Sequence, residues 1–318
     1  VNRLILGTRG SALALAQVDL TRAALGKAWP ELPVEQRVFV TRGDQKLDLS
    51  LLRAGEAGGK GLFTKELEDA LLAGAIDVAV HSLKDLPGHN PPGLEVAAVL
   101  ERASTADLLI TRGADTFAAL ENGARIGTSS VRRARQLQWL RPDLQIEEWR
   151  GNVQTRLRKL AQRVEVAGIV LAQAGLERLG YAPASGALEF EGTRFHIVSL
   201  REHLLPAIGQ GAIALQARAD RADVRTVLAA INHAPTFTCI RAEREVQRLL
   251  AGDCGLPVGV RATLNGETLR LSAILFSESS DQPARAEASG PAGAPEAVAA
   301  ELFARLVPSS QAHAYEKI

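Results

Sequence analysis

The sequence predicts an α/β protein with a smaller α+β unit at its end. Two observations carry this. Short apolar runs of strand type alternate with segments of helical period from residue 3 to about 230, a layering that covers a sheet on both faces. From residue 238 the pattern changes to a helix, a hairpin signal at Asn265-Gly266 and a last helix.

The elements follow in order. Arg3–Leu6 reads as a strand, Ser11–Ala28 as a helix and Glu35–Thr41 as a strand. Leu62, Phe63, Leu67, Ala70 and Leu71 recur at helical spacing over Leu62–Ala73. Ile76–Val80, Arg125–Gly127, Ile146–Trp149 and Gly168–Ala172 read as strands, with helices over Val131–Leu140 and Val153–Leu160. In the last part, a helix over Thr238–Leu250 precedes β-like Pro257–Leu264 and Thr268–Phe276 and a helix over Glu296–Leu306. The Ser/Pro/Ala/Gly-rich stretch Ser277–Pro295 reads as a loop plus an edge strand. No repeat at a fixed period is seen.

The 318 residues suffice for two or three domains at roughly 100–200 residues each. A net charge of +1 gives no bulk pull toward nucleic acid or acidic membranes. No apolar run reaches the about 18 residues of a membrane span. The first residues, broken by Arg9, do not read as a signal peptide. Cys239 and Cys254 make no disulfide framework, so a reducing, cytoplasmic setting is expected.

Three segments share a layout of strand, short polar turn and helix: GTRGS (7–11), GTSSVRR (127–133) and WRGNVQTR (149–156). Each puts Ser, Thr or Asn at the N-cap position and an arginine within a turn of it. Helix N-termini carry unpaired N–H groups and attract anions, and a guanidinium matches a carboxylate with two donors. The bland alternative for each is a plain cap beside a solvated arginine; three together favour a multi-anion site. Between Arg125 and Arg163 stand Arg125, Arg132, Arg133, Arg135, Arg141, Arg150, Arg156, Arg158, Lys159 and Arg163, against only Asp143, Glu147 and Glu148. This reads as a basic face. Trp139 and Trp149 are the only rings there, so a small polyanion fits better than nucleic acid.

The apolar run Ala75–Val80 ends in HSLKDLP (81–87), which presents Ser82, Lys84 and Asp85 within four residues. AGEAGGKGLFTKEL (54–67) surrounds Lys60 with glycines but lacks the Walker A spacing; it reads as a lid or a connector. Cys254 lies in a Gly/Pro-rich polar loop and is a candidate reactive thiol, whereas Cys239, in a helical stretch beside Ile240, reads as buried. The scattered histidines give no zinc pattern, and no metal is expected.

GTRGSALALAQ, TRGD with GGKGLFTKELE, HSLKDLP, GTSSVRRARQL, RGNVQTRLRKL, AGLERLG, LPAIGQGA, AER and DCGLPVG occur in this order. Together they resemble the porphobilinogen deaminases, from Leu4 to about Gly259. The resemblance implies two lobes like those of periplasmic binding proteins plus a small α+β domain: residues 1–100 with 203–222, then 101–202, then 223–318. It implies a dipyrromethane cofactor held covalently by Cys254. It also implies addition of four porphobilinogen units with loss of ammonia, and hydrolytic release of hydroxymethylbilane in haem biosynthesis. Asp85 matches the family's catalytic aspartate. Ser82, Lys84, Thr128, Ser130, Arg132, Arg133, Arg150 and Arg156 match cofactor-binding positions. Arg9, Ser11, Lys60, Arg150 and Arg156 match substrate-binding positions. A cytoplasmic monomer with neither nucleic acid nor membrane as partner is implied. A non-catalytic solute binder or regulator domain would share the lobes but leave Cys254 without a role.

Three departures stand out. The loop between Asp44 and Lys60 is longer than usual. Asp253 precedes the cysteine where Gly is common. ASTADLL follows Arg102 in place of a DPRD-like stretch, which is expected to touch an interdomain hinge and leave the chemistry alone.

Overall fold

The computed structural model describes residues 1–41, 64–183, 186–250, 256–277, 280 and 282–307. The first part of the chain forms β1 (Leu4–Arg9), α1 (Ala12–Ala28), β2 (Val34–Phe39), α2 (Lys65–Leu72), β3 (Val78–Ser82) and β4 (Leu94–Val99). The middle forms β5 (Asp107–Thr111), β6 (Arg125–Gly127), α3 (Val131–Leu140), β7 (Gln145–Glu147), α4 (Val153–Gln162), β8 (Gly168–Ala172), α5 (Gln173–Arg178), β9 (Ala187–Phe190) and β10 (Thr193–Ser199). Then come β11 (Ile213–Arg218), α6 (Ala222–Ala229), α7 (Ala234–Leu249), β12 (Val258–Asn265), β13 (Thr268–Leu275), β14 (Ala284–Pro291) and α8 (Pro295–Leu306).

The strands make three sheets, ordered β2-β1-β3-β11-β4, β7-β6-β8-β5-β10-β9 and β12-β13-β14. The two larger sheets follow one plan. β1 lies between parallel β2 and β3, and β6 lies between parallel β7 and β8. Each third strand then meets an antiparallel neighbour from a distant part of the chain: β11 beside β3, and β5 beside β8. The repeat is one of topology alone. The two connections between the lobes run side by side, with the Ala103 N–H donating to Gly211 O and the Leu100 N–H to Ile213 O.

Alternating side chains explain why these strands read as unbroken apolar runs. Leu4 and Leu6 join a cluster with Val18 and Leu25 of α1, while Ile5 faces Leu67 and Leu71 of α2. In the second sheet Leu108 and Ile110 meet Leu157 and Leu160 of α4, while Leu109 meets Leu137 of α3. Both faces are covered, so no polar alternation is needed. The third sheet buries Leu269, Leu271, Ala273 and Leu275 of β13 against α7 and α8. The edge strand expected within Ser277–Pro295 is β14.

Three expectations shift. The boundary at 222/223 is corrected: Val224, Val227 and Leu228 of α6 sit in the first sheet's cluster, so α6 belongs to the first lobe. α7 begins at Ala234, four residues earlier than the period suggests. Pro235 is tolerated in its first turn, and the His233 ring nitrogen accepts from the Thr236 N–H at 3.3 Å. β3 extends past Val80 to Ser82, because pairing with β11 continues to Ile213–Ser82 after the apolar pattern stops.

Candidate active site

The three predicted helix starts hold. Ser11, Ser130 and Asn152 cap α1, α3 and α4, each side-chain oxygen accepting from the N–H three residues on. These are good caps, and their acceptor capacity is used inside their own helices. α1 also meets the second lobe: the space beside Gly175 of α5 is closed by Leu13 of α1 and Val153 of α4.

At the end of β3 the chain turns through Leu83–Asp85. Buried Leu83 and Leu86 pin this turn on both sides, leaving Lys84 and Asp85 half-buried between them. Gly209, at φ +70°, permits the approach; a Cβ there would lie 2.0 Å from Leu83 Cδ2. Arg9, Ser11, Gln17, Thr64, His81, Ser82 and Asp85 line one small pocket. Gln17 Nε2 donates to Ser82 Oγ at 2.7 Å. His81 forms the floor, its Nε2 3.0 Å from Gln216 Oε1, and Gln216 Nε2 donates to Glu68 Oε1 at 3.3 Å. Burial, with Arg9 nearby, pushes the His81 pKa down to about 4, so the imidazole is neutral at pH 7.

A second group comes across from the other lobe. Asp107, 1% exposed, opens β5. Its carboxylate lies 2.9 Å from Arg132 Nη1 and 2.8 Å from Arg133 Nη2, and accepts from Gln210 Nε2 at 2.9 Å. The two guanidiniums outweigh the cost of burial and hold the Asp107 carboxyl well below the usual carboxylate range. Arg132 also donates to Leu205 O and Arg133 to Val170 O, while Arg133 Nε is buried with no hydrogen-bond partner. Lys84 feels this cluster. Burial and then Arg133 lower its pKa to about 8, against the pull of Asp85 and Asp107. Arg156 donates from Nε to Gly151 O at 2.7 Å. Burial, Arg133 and Arg150 lower its pKa to about 10, and Asp85 partly offsets them. Arg150 Nε donates to Glu148 Oε1 at 2.8 Å.

The fold thus brings Asp85, Ser82, Arg9 and Ser11 to one pocket, and Lys84, Arg132, Arg133, Arg150 and Arg156 to one electrostatic cluster beside it. Lys60 and Cys254, with the long loop and Asp253, lie outside the described residues. Thr128, expected to contact the cofactor, is fully buried, and its Oγ1 accepts from the Ser130 N–H at 3.2 Å, which braces the turn from within. Arg132 and Arg133, only 5% and 6% exposed, spend part of their donor capacity on Asp107 and backbone. The basic face is corrected too. Arg125 pairs with Glu147, Arg141 with Asp143, and Arg163 with Glu147 and Glu165, all at the surface. Cys239 is buried as expected, and its thiol pKa is pushed up to about 11 by burial and then by Glu243.

Asp107 and Gln17 escaped the motif reading. An acid opening the apolar strand DLLIT, and an amide on the same helical stripe as Ala14, Val18 and Thr21, are the signals that pointed to them.

Two lobes of one topology, with an acid at a strand end and guanidinium groups gathered beside it, define a two-lobed cleft protein. Residues 4–226 match the family model described as "porphobilinogen deaminase, dipyromethane cofactor binding domain", and residues 237–307 match "porphobilinogen deaminase, C-terminal domain". The porphobilinogen deaminase of Methylobacillus flagellatus is 42% identical over 304 residues, covering 96% of this chain and 94% of that protein. That of Desulforudis audaxviator is 44% identical, also over 304 residues, 96% of this chain and 94% of its own. The chain belongs to the porphobilinogen deaminase family. Among solved structures, the periplasmic aliphatic sulphonate binding protein SsuA from Escherichia coli matches at 15% identity with a TM-score of 0.39, over 78% of this chain and 72% of that one. Among the described residues no helix is long and apolar enough to cross a membrane.

Proposed function

We propose that the protein is a transferase that joins four porphobilinogen molecules head to tail, releasing ammonia at each step, and frees hydroxymethylbilane by hydrolysis. The observation that carries this reading is the placement of Asp85 beside Lys84 and Arg156, which in turn face Arg133 and, for Arg156, Arg150. Each pyrrole unit brings an acetate and a propionate, so an oligomer of such units needs many cations on a protein of +1 net charge.

The residues fit a dipyrromethane cofactor. Burial, and after it repulsion from neighbouring guanidiniums, depresses Lys84 and Arg156, and Arg133 Nε is a buried donor with no hydrogen-bond partner. Anionic carboxylates relieve both conditions. Arg132, Arg133, Arg150, Arg156 and Lys84 would hold those carboxylates, with Ser82 and Ser130 as hydroxyl donors and Cys254 as the covalent anchor. When bound, dipyrromethane supplies the nucleophilic carbon to which the first unit joins, and it stays behind at release. Asp85 stabilises the positive charge that develops on the pyrrole nitrogen of porphobilinogen as ammonia leaves, and accepts the proton lost after the carbon–carbon bond forms. Arg9 and Ser11, beside Asp85 in the pocket, orient the incoming unit, with Lys60 as a further contact. The same reading takes the protein as a cytoplasmic monomer, apart from nucleic acid and membrane, in tetrapyrrole (haem) biosynthesis.

Intact mass tests it. Protein purified from cells should exceed its sequence mass by two linked pyrrole units, and Cys254→Ala should remove the increment. Asp85→Asn should keep the increment and stall turnover. An active protein of bare-chain mass, or near-normal rates in Asp85→Asn, contradicts the reading.

A further inference from the structure

The AER motif (Ala242–Arg244) has no part in the chemistry above, yet it lies on the helix that joins the C-terminal unit to the catalytic turn. α7 has two working faces. Cys239, Ala242, Val246 and Leu250, just past its end, enter the core of the third sheet. Phe237 and Ile240, on another face, pack into a cluster with Leu83 and Leu86, the residues on either side of Lys84 and Asp85. Arg244, one turn beyond Ile240, extends this second face. Its Nη1 donates to Pro87 O at 3.0 Å, and its Nη2 to Gly88 O at 3.4 Å and to Asn90 Oδ1 at 3.1 Å. These acceptors begin two residues after Asp85. Glu243 fixes the helix itself: fully buried, it accepts from Arg102 Nη1 and Nη2 at 2.8 and 2.9 Å, from the Gly209 N–H and from the Ala262 N–H.

We infer that Arg244 is a positioning residue for Asp85, holding the 87–90 turn against α7 so that the carboxylate keeps one place in the cleft. Leu83, Leu86 and Ile240 set the depth of the turn; Arg244 sets its downstream end. Arg244 lines none of the pocket that contains Arg9, Ser82 and Asp85, so it acts on rate and not on substrate affinity. By chain connectivity, the same helix ends five residues before Cys254. The inference rests on the reading of Asp85 as the catalytic acid.

A double-mutant cycle on the cofactor-loaded protein tests it. The readout is the rate of adding the first porphobilinogen unit, followed by intact mass, with steady-state kcat and KM alongside. Arg244→Leu should lower kcat about 10- to 100-fold, the scale of a misplaced catalytic group, with KM within about threefold of the parent. Arg244→Lys should recover part of the loss, because an ammonium still donates to the Pro87 and Gly88 carbonyls. In the Asp85→Asn background, Arg244→Leu should cost less than about threefold more, since its effect passes through the missing carboxylate. If Arg244→Leu does not fold, Arg244→Lys and Arg244→Gln carry the cycle. A folded Arg244→Leu or Arg244→Gln variant with kcat within about twofold of the parent overturns the inference, as does a full multiplicative loss in the double variant. Failure of the underlying reading shows by itself, as normal turnover in Asp85→Asn alone; that result overturns both.

Discussion

Replacing Asp107 by Asn removes one negative charge and little volume from a site that holds two guanidiniums. The carboxylate is enclosed, 2.8–2.9 Å from Arg132 and Arg133, and both arginines are themselves buried. Removing one partner of a buried ion pair costs about 3–5 kcal/mol, because the remaining charge is left uncompensated. Asn keeps an oxygen for Gln210 Nε2, which places the loss near the lower end, about 3 kcal/mol. With a urea dependence of about 2 kcal/mol per molar, the unfolding midpoint of the lobe should fall by about 1.5 M. The measurement is urea unfolding at pH 7 in a Cys254→Ala background, followed by circular dichroism and by fluorescence of the buried Trp149. The pH dependence adds a check. The carboxyl is depressed in the fold, so its contribution is complete above its unfolded pKa of about 4 and is lost only as the pH falls through the lower folded value. The difference between parent and variant should therefore be the same at pH 5 and pH 7. A midpoint change below about 0.3 M, or a difference that vanishes at pH 5, refutes the argument that Asp107 neutralises this cluster.

Lys84 gives the opposite pH signature. Its pKa falls from an ordinary 10.5 to about 8 in the fold, which is about 3 kcal/mol at 1.36 kcal/mol per tenfold change in proton affinity. Below pH 8 both states are protonated and the fold carries the full penalty; between 8 and 10.5 the unfolded chain binds more proton, so stability rises. Cofactor-free protein should gain stability over this range relative to its Lys84→Met variant in paired urea titrations. Arg156→Leu should impair chain growth at least tenfold, on the scale of one charged contact. Arg163→Leu, whose partners Glu147 and Glu165 are at the surface, should stay within about twofold of the parent. Both are read by product formation from porphobilinogen.

The local elements were legible because their causes are local. Ser11, Ser130 and Asn152 cap the helices that their turns announce, and the Asn265-Gly266 signal lies between β12 and β13 as a tight hairpin requires. Boundaries failed where a distant partner decided them. β3 runs on to Ser82 only because β11 is there to pair with it, and α6 joins the first lobe because its Val224 and Leu228 find that core. The charges behaved in the same way. Composition counted ten cations from Arg125 to Arg163, but it could not separate those that find acids at the surface from those that face the cleft.

What the sequence determined by itself was the kind of chemistry on offer: an acid at a strand end, guanidiniums beside helix starts, a thiol in a glycine-rich loop. These are side-chain properties, and they are present in the unfolded chain. Which of them meet was decided by the tertiary structure alone. Asp85 and Arg156 are 71 residues apart in sequence (85 to 156) and interact because two lobes fold face to face. Asp107 draws its strength from Arg132 and Arg133 because all three are taken out of water together, where an ion pair is screened far less than it would be on a surface.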